Sequence, residues 1–419
     1  MVIKKCNKLA VLSLVSLLSA CSSGHWNTYV EPSQQQLVST LDAQPQQAWS
    51  GQIHADSYPD ITAPSNVRPC CAFGDKQKVT FVGVPIPFFR VNNVIDLEQI
   101  GPHTFAAGVY SFTSSSTSVL NTYGGENNGI FYTQRGGFID LAHVRDTADD
   151  TIGLFFEVLA HLGQAHTIEL VPELGRRYIE MKPFDTSELS DHDQWTIAAH
   201  LSARLAYFKA ESHEIAQWHG YTSFAPFSER VSAYSLEDLY SNMLGATLTL
   251  KLIENQTMLS EQEYNKQLSI WLNATLTKLQ IVDKPTSREA LNVVDGVWWD
   301  STVSLPNKYM LLKRHYQLGD HQTPYLLPNE RLNATLSTNI DANAEPMPLR
   351  LLDSIANIRL DDIASLNMQI SEAFYATFEH IPDDLWRQGI SHHMFADIAR
   401  YAEQFDTQEM QTLRNASQP

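Results

Sequence analysis

Gly136-Gly137-Phe138-Ile139-Asp140-Leu141-Ala142-His143-Val144-Arg145-Asp146-Thr147-Ala148-Asp149-Asp150, continuing through Ile152, Phe155, Leu159 and Leu162, is the stretch on which the fold turns. Leu141, Arg145, Ala148, Ile152, Phe155, Leu159 and Leu162 recur at three- and four-residue spacing, one stripe of a helix predicted over 138–163. Asp140, His143, Thr147 and Asp150 stand at i, i+3, i+7 and i+10 and share a second face, away from the apolar stripe. Asp146 sits beside that face.

Outward from this helix the chain keeps the same texture. Residues 167–172 and 177–183 read as a short hairpin. Ser190 with Asp193 opens a helix to about residue 217, and Ser235 with Asp238 opens another to about 253. Ser260 with Glu263 opens a third, whose Tyr264, Leu268, Trp271, Leu272, Leu276 and Leu279 make an apolar face. Upstream, residues 78–84 alternate as a strand that Pro85 and Pro87 end. Downstream, 294–299 and 308–318 read as strands and 391–405 as a closing helix. No βαβ alternation supports a parallel sheet. The fold class expected is a predominantly helical α+β body with short local β-hairpins and a β-containing C-terminal portion. One globular domain is expected over 66–405, followed by a tail over 406–419.

The chain has 419 residues, 43% of them hydrophobic and 18% charged, enough to bury a sizeable core. With 29 basic residues against 47 acidic ones the net charge is −18, which argues against a nucleic-acid partner. Lys4, Lys5 and Lys8 precede a short apolar stretch over 9–18, and Leu18-Ser19-Ala20-Cys21 follows. That arrangement reads as a secretory signal over 1–20, too short to span a bilayer as a helix. The Leu-Ser-Ala-Cys quartet resembles the bacterial lipobox, which implies acylation of Cys21 and attachment to the membrane through an N-terminal lipid. Ser22 rather than Asp follows the cysteine, which in the sorting pattern this resembles favours the periplasmic face of the outer membrane. Residues 21–65, rich in Ser, Gln, Pro, Asp and Thr, read as a flexible tether. In an oxidising compartment the adjacent Cys70 and Cys71 have three states open: a vicinal disulfide, two buried thiols, or part of a metal site. The disulfide is favoured, because zinc ligands are normally spread over wider spacings.

Three polar groups carry the candidate chemistry. Asp140 and His143, one turn apart, can share a divalent metal ion, or the carboxylate can orient the imidazole; a solvated acidic face is the plainer alternative. His213-Glu214 lies near the end of the helix from 190. With His219 it looks like His-Glu-x-x-His, but an i, i+6 pair is about 240° apart around a helix and does not clamp one ion. Glu237 lies four residues before Ser241 at the start of the next helix, with Asp238 as its cap. His392, His393 and Asp397 form a weaker fourth cluster. No Gly-x-Ser-x-Gly, Walker or Gly-x-Gly-x-x-Gly motif is present.

Arg68-Pro-Cys-Cys-Ala-Phe-Gly74, the 136–146 segment, His213-Glu214 and Ser235-Leu-Glu-Asp-Leu-Tyr-Ser-Asn242 together resemble a family of exported proteobacterial proteins catalogued only as a domain of unknown function. The resemblance runs from about residue 65 to 405. It brings no activity or catalytic residues, but it implies that these segments build one site. The expectation is therefore a metal-dependent hydrolase, with Asp140, His143 and His213 as ligands of a divalent cation and Glu214 or Glu237 as general base. Substrate could be cell-wall, lipid or peptide material. The alternative is a non-catalytic binding or assembly lipoprotein in which the same residues form a structural polar network.

Overall fold

The helix predicted over 138–163 starts at Leu141, because Gly137–Asp140 is spent on a strand. The structure is a computed structural model that describes residues 31–41, 59, 61–65, 67–68, 71–81, 83–107, 126–223, 228–331 and 340–416. Its helices are α1 (Gln34–Leu41), α2 (Leu141–Ala160), α3 (Asp191–Trp218), α4 (Asp238–Glu254), α5 (Glu261–Lys278), α6 (Lys284–Val293) and α7 (Phe395–Ala416). The strands used below are β1 (Thr80–Phe81), β2 (Val84–Pro85), β3 (Ile130–Thr133), β4 (Gly137–Asp140), β5 (His166–Leu170), β6 (Gly175–Met181), β7 (Ala364–Ile370) and β8 (Ile390–Ser391). The mostly helical α+β class holds.

Capping chemistry sets the helix starts. The Asp140 carboxylate accepts the Ala142 N–H at 2.8 Å and opens α2. Ser190 and Asp193 make the expected capping box at α3, and Ser260 accepts the Glu263 N–H at α5. Helices α2, α3 and α4 pack on one another, and α2 is buried on both faces: every residue from Leu141 to Asp150 except Asp146 is out of solvent. The polar face read from the spacing is therefore a seam inside the bundle, not a solvated surface.

Strand β4 pairs antiparallel with β3, Phe131 opposite Ile139 and Tyr132 opposite Phe138. Alternation sends successive side chains of this ribbon to opposite sides. Phe131 and Ile139 enter the main core with α2, α3 and α4. Ile130, Tyr132 and Phe138 enter a second core with Phe73, Trp298 and Trp299. The expected hairpin of β5 and β6 is present. It becomes a four-stranded antiparallel sheet, ordered β8-β7-β6-β5, when β7 pairs along the length of β6, from Ala364 opposite Met181 to Ile370 opposite Gly175.

Further expectations change. The one strand expected over 78–84 and ended by Pro85 is two short strands, β1 and β2, paired antiparallel with Pro85 inside β2. The helix expected to open at Ser235 starts at Asp238. Residues 294–299 and 308–318 are not strands: Gly296 takes φ +74° in a turn, Trp298 and Trp299 fold into the second core, and Lys308–Met310 is a 3-10 turn. Ordered structure reaches into the stretch read as a tether, because Leu37 and Leu41, spaced i and i+4 on α1, are buried with Ile61 in the main core. The tail expected over 406–419 is largely helix, since α7 continues to Ala416. Pro32–Pro419 forms one compact unit.

At Gly245 of α4 a Cβ would stand 2.0 Å from the Val144 carbonyl oxygen and 3.1 Å from the Ala148 amide nitrogen of α2. Both contacts are with backbone, which does not swing aside. Gly245→Ala is expected to cost about 1–3 kcal/mol or more through overpacking, read as a lowered midpoint in thermal or urea denaturation.

Candidate functional site

The polar seam of α2 divides into two halves that solve the burial of charge differently. In the C-terminal half each carboxylate has a cation. The buried Arg68 guanidinium bonds Asp146 at 2.8 Å, Asp149 at 2.9 Å and also Glu126. Burial works against its charge, but Asp149, Asp146 and Glu126 outweigh that and hold it firmly protonated. Asp149 also takes His103 Nε2 at 2.8 Å and the Tyr264 hydroxyl at 2.9 Å. Burial raises Asp149, yet His103 and Arg68 together bring it below the usual carboxylate range. Asp150 pairs with Lys209 of α3 at 2.5 Å, and the Thr147 hydroxyl donates to Asn242 of α4 at 2.8 Å.

In the N-terminal half, among the described residues, the acids meet histidine rather than lysine or arginine. His143 Nε2 lies 3.1 Å from Asp238 Oδ1, at the start of α4. One donor atom each of His143, Glu214 and Asp238 lie within 4.8 Å of one another, and all three residues are buried. Glu214, on α3, accepts the Tyr234 N–H through Oε2 at 2.6 Å, while its Oε1 is buried without a hydrogen-bond partner. Burial and the neighbouring Asp238 push Glu214 up to about 8, against the pull of His143 and His213. Glu237 takes the Ser235 hydroxyl at 2.6 Å on Oε2 and leaves Oε1 buried and unpartnered. Burial and Asp238 hold it well above the carboxylate range. His315 adds a further buried atom without a partner, Nδ1; burial pushes this imidazole down to about 4, partly opposed by Asp238. Tyr234 joins the group through its backbone. It holds φ +56°, a left-handed conformation unusual for an aromatic residue, and its carbonyl accepts the His315 N–H at 2.8 Å.

The residues expected from the spacing are thus partly gathered. His143, Glu214 and Glu237 belong to this half of the seam. Asp140 closes it from β4, but its carboxylate is engaged by the Ala142 and Cys71 amides, each at 2.8 Å, and burial lifts it to about 6. His213 turns elsewhere. Its Nδ1 meets Glu173 at 2.8 Å and its Nε2 meets the Gln217 amide at 2.9 Å. Successive helix residues point about 100° apart, so His213 and Glu214 do not both face one ion from α3. Asp238, expected as the cap, is instead the first residue of α4; it accepts the Ser235 N–H at 3.1 Å and is also the partner of His143. Its second role had a signal in the sequence: Glu237-Asp238 falls in a stretch with no lysine or arginine between Arg230 and Lys251. His315 carried no such signal.

A second group that can hold a metal ion is Asp361, His392 and His393. Here His392 Nδ1 accepts the Leu366 N–H at 3.2 Å, which leaves Nε2 carrying the proton in the neutral ring, and Arg204 already pairs with Asp361 at 2.8 Å. This group is an Arg–Asp–His network. Asp397, named with the histidines from sequence, pairs instead with Arg400. Cys21 and Cys70 lie outside the described residues; Cys71 is half-buried, its N–H on Asp140.

Removing Arg68 strands the buried carboxylate of Asp149 and the half-buried ones of Asp146 and Glu126. Arg68→Met is expected to lose about 3–5 kcal/mol of stability, measured by denaturant unfolding. Asp149 and Glu126, both lowered, add stability that is present above the ordinary carboxylate range and lost as pH falls through their lowered values. The variant's deficit should therefore shrink at low pH.

No curated protein and no solved structure matches the chain. A family profile does match, over residues 58–328, a span that contains Arg68, Asp140, His143, Glu214, Glu237, Asp238 and His315. The protein belongs to the family described as Protein of unknown function (DUF4056).

Proposed function

We propose that the protein is a metal-dependent hydrolase of the cell envelope, with a divalent cation held by His143, Glu214 and Asp238 and with Glu237 as the general base. The observation that carries the reading is the donor set itself: one imidazole and two carboxylates within 4.8 Å, with Glu214 Oε1 buried and unpartnered. Buried acids paired with no lysine or arginine need protons or a cation, and a nitrogen-and-oxygen set of this kind suits first-row divalent ions. A cation there supplies Lewis acidity and activates water at neutral pH. Its charge also lowers the affinity of neighbouring carboxylates for protons, so Glu237 becomes free to accept one. Lipid attachment at Cys21 and a place on the periplasmic face of the outer membrane belong to the same proposal and rest on the Leu18-Ser19-Ala20-Cys21 quartet. One observation favours a second reading, a structural network: His143 is only 7% exposed and Glu214 fully buried, so the cluster is closed as it stands.

Metal analysis of the purified protein, dialysed against Zn2+ or Mn2+, separates the two. One equivalent per chain is expected, lost in His143→Ala and Asp238→Asn and kept in His213→Ala. A chain that takes up no metal is the structural network.

The pH dependence gives a further test. Glu214 at about 8 keeps a proton in the native state that the unfolded chain releases near its ordinary value. Metal-free protein should therefore lose stability as pH rises from about 4.5 to about 8, by at most about 1.4 kcal/mol per pH unit for that proton. Glu214→Gln should flatten this part of the slope, and saturating metal should flatten it in the wild type. Urea denaturation at pH 5 to 8 reads both.

A further inference from the structure

Residues 76–95 contain Lys76, Lys78 and Arg90 and no acid, in a chain whose net charge is −18. The three cations flank a hairpin, β1 and β2, paired with Thr80 opposite Pro85 and Phe81 opposite Val84. Its base is fixed to the body. Gln77 and Val91 exchange backbone hydrogen bonds at 3.2 and 3.1 Å, and the Gln77 side chain is buried on the Phe73 carbonyl at 2.8 Å. The Thr80 N–H donates to Leu305 at 2.8 Å, and the Leu305 N–H donates to Lys78 at 2.9 Å. Beyond that base everything from Gly83 to Arg90 is exposed: Val84 is 66% exposed, Phe89 50% and Phe88 fully.

Bulky apolar side chains held outward on an anchored projection mark a surface that something covers. The shape is a finger rather than a groove, which suits a soft medium better than a complementary protein pocket. Pro85 and Pro87 lack N–H groups, so this edge makes a poor template for adding a strand from another chain. The same two prolines remove two donors that would otherwise need partners in hydrocarbon. The basic flank matches the negative surface of anionic lipid.

We propose that β2 and the exposed residues that follow it, over 83–90, are a membrane-inserting finger that seats Val84, Phe88 and Phe89 at the headgroup–acyl boundary of a bilayer containing anionic lipid. The proposal depends on neither the metal centre nor acylation of Cys21.

The test places the photo-crosslinking residue benzoylphenylalanine at position 88 of the full chain, and in a second preparation at Val171, an apolar residue that is 38% exposed on the β5–β6 turn. Phe88 is fully exposed, so the replacement leaves the cores intact. Each protein is irradiated with vesicles of phosphatidylethanolamine and phosphatidylglycerol, and adducts are identified by mass spectrometry. Lipid adducts are expected at 88 well above those at 171, which separates insertion of the finger from mere proximity through an N-terminal lipid. Lys78→Gln should lower the yield at 88 about fivefold where insertion is unsaturated, from about 1 kcal/mol per basic residue near an anionic surface. Vesicles of phosphatidylcholine alone should lower it as well. Equal lipid labelling at 88 and 171 overturns the proposal, and so does labelling at 88 that falls on a second copy of the chain.

Discussion

Charge inside this protein is admitted only with compensation, and helix α2 is where that constraint is felt. A carboxylate taken out of water costs several kcal/mol unless a cation, a proton or several donors meet it. From Asp146 to Asp150 the compensation is delivered by Arg68 and Lys209, side chains remote in sequence, so neutralising the helix also fixes where the chain must cross it. From Asp140 to His143 none of the carboxylates pairs with a lysine or arginine among the described residues. Placing Glu214, Glu237 and Asp238 there is unfavourable for a purely structural role, and replacing such a cluster with apolar residues would be the easier route to stability. That contrast separates a half of the seam whose charges are paired with lysine and arginine from a half whose donor set could hold a metal ion.

Local rules were legible in the sequence and long-range ones were not. The capping box at Ser190, the N-cap at Ser260 and the β5–β6 hairpin follow from neighbours a few residues apart, and the structure has them near where the spacing put them. The 138–163 periodicity located α2, but Gly137–Asp140 went to a strand because β3, which pairs with it, is itself buried between two cores. Val294 to Trp299 alternates like a strand, yet its two tryptophans are core anchors reached through a turn at Gly296. For the site, i, i+3 spacing brought out Asp140 and His143, and the adjacency of His213 to Glu214 concealed that only one of them faces the seam. Asp238 was hidden because the spacing made it the cap of a helix opened by Ser235, whereas it is the first residue of α4, bonds the Ser235 N–H and meets His143.

The family match ends at residue 328, but the fold around the site does not. Strand β7 supplies the third strand of the sheet from beyond the matched span, with Leu366 opposite Ile179. Trp218, near the end of α3, donates to Asp406 of α7 at 3.1 Å. The helix that carries Glu214 is thus braced, one turn beyond that residue, by residues that the match does not include.

The ribbon of β3 and β4 has a consequence for how the molecule comes apart. It is a shared wall: Phe131 and Ile139 belong to one core, Tyr132 and Phe138 to the other, on strands four residues long. Neither core keeps its lining if the other dissolves, because a two-stranded ribbon has little stability of its own in water. Two separate oily interiors therefore melt as one cooperative unit, and a calorimeter should record a single transition where a tally of cores would suggest two.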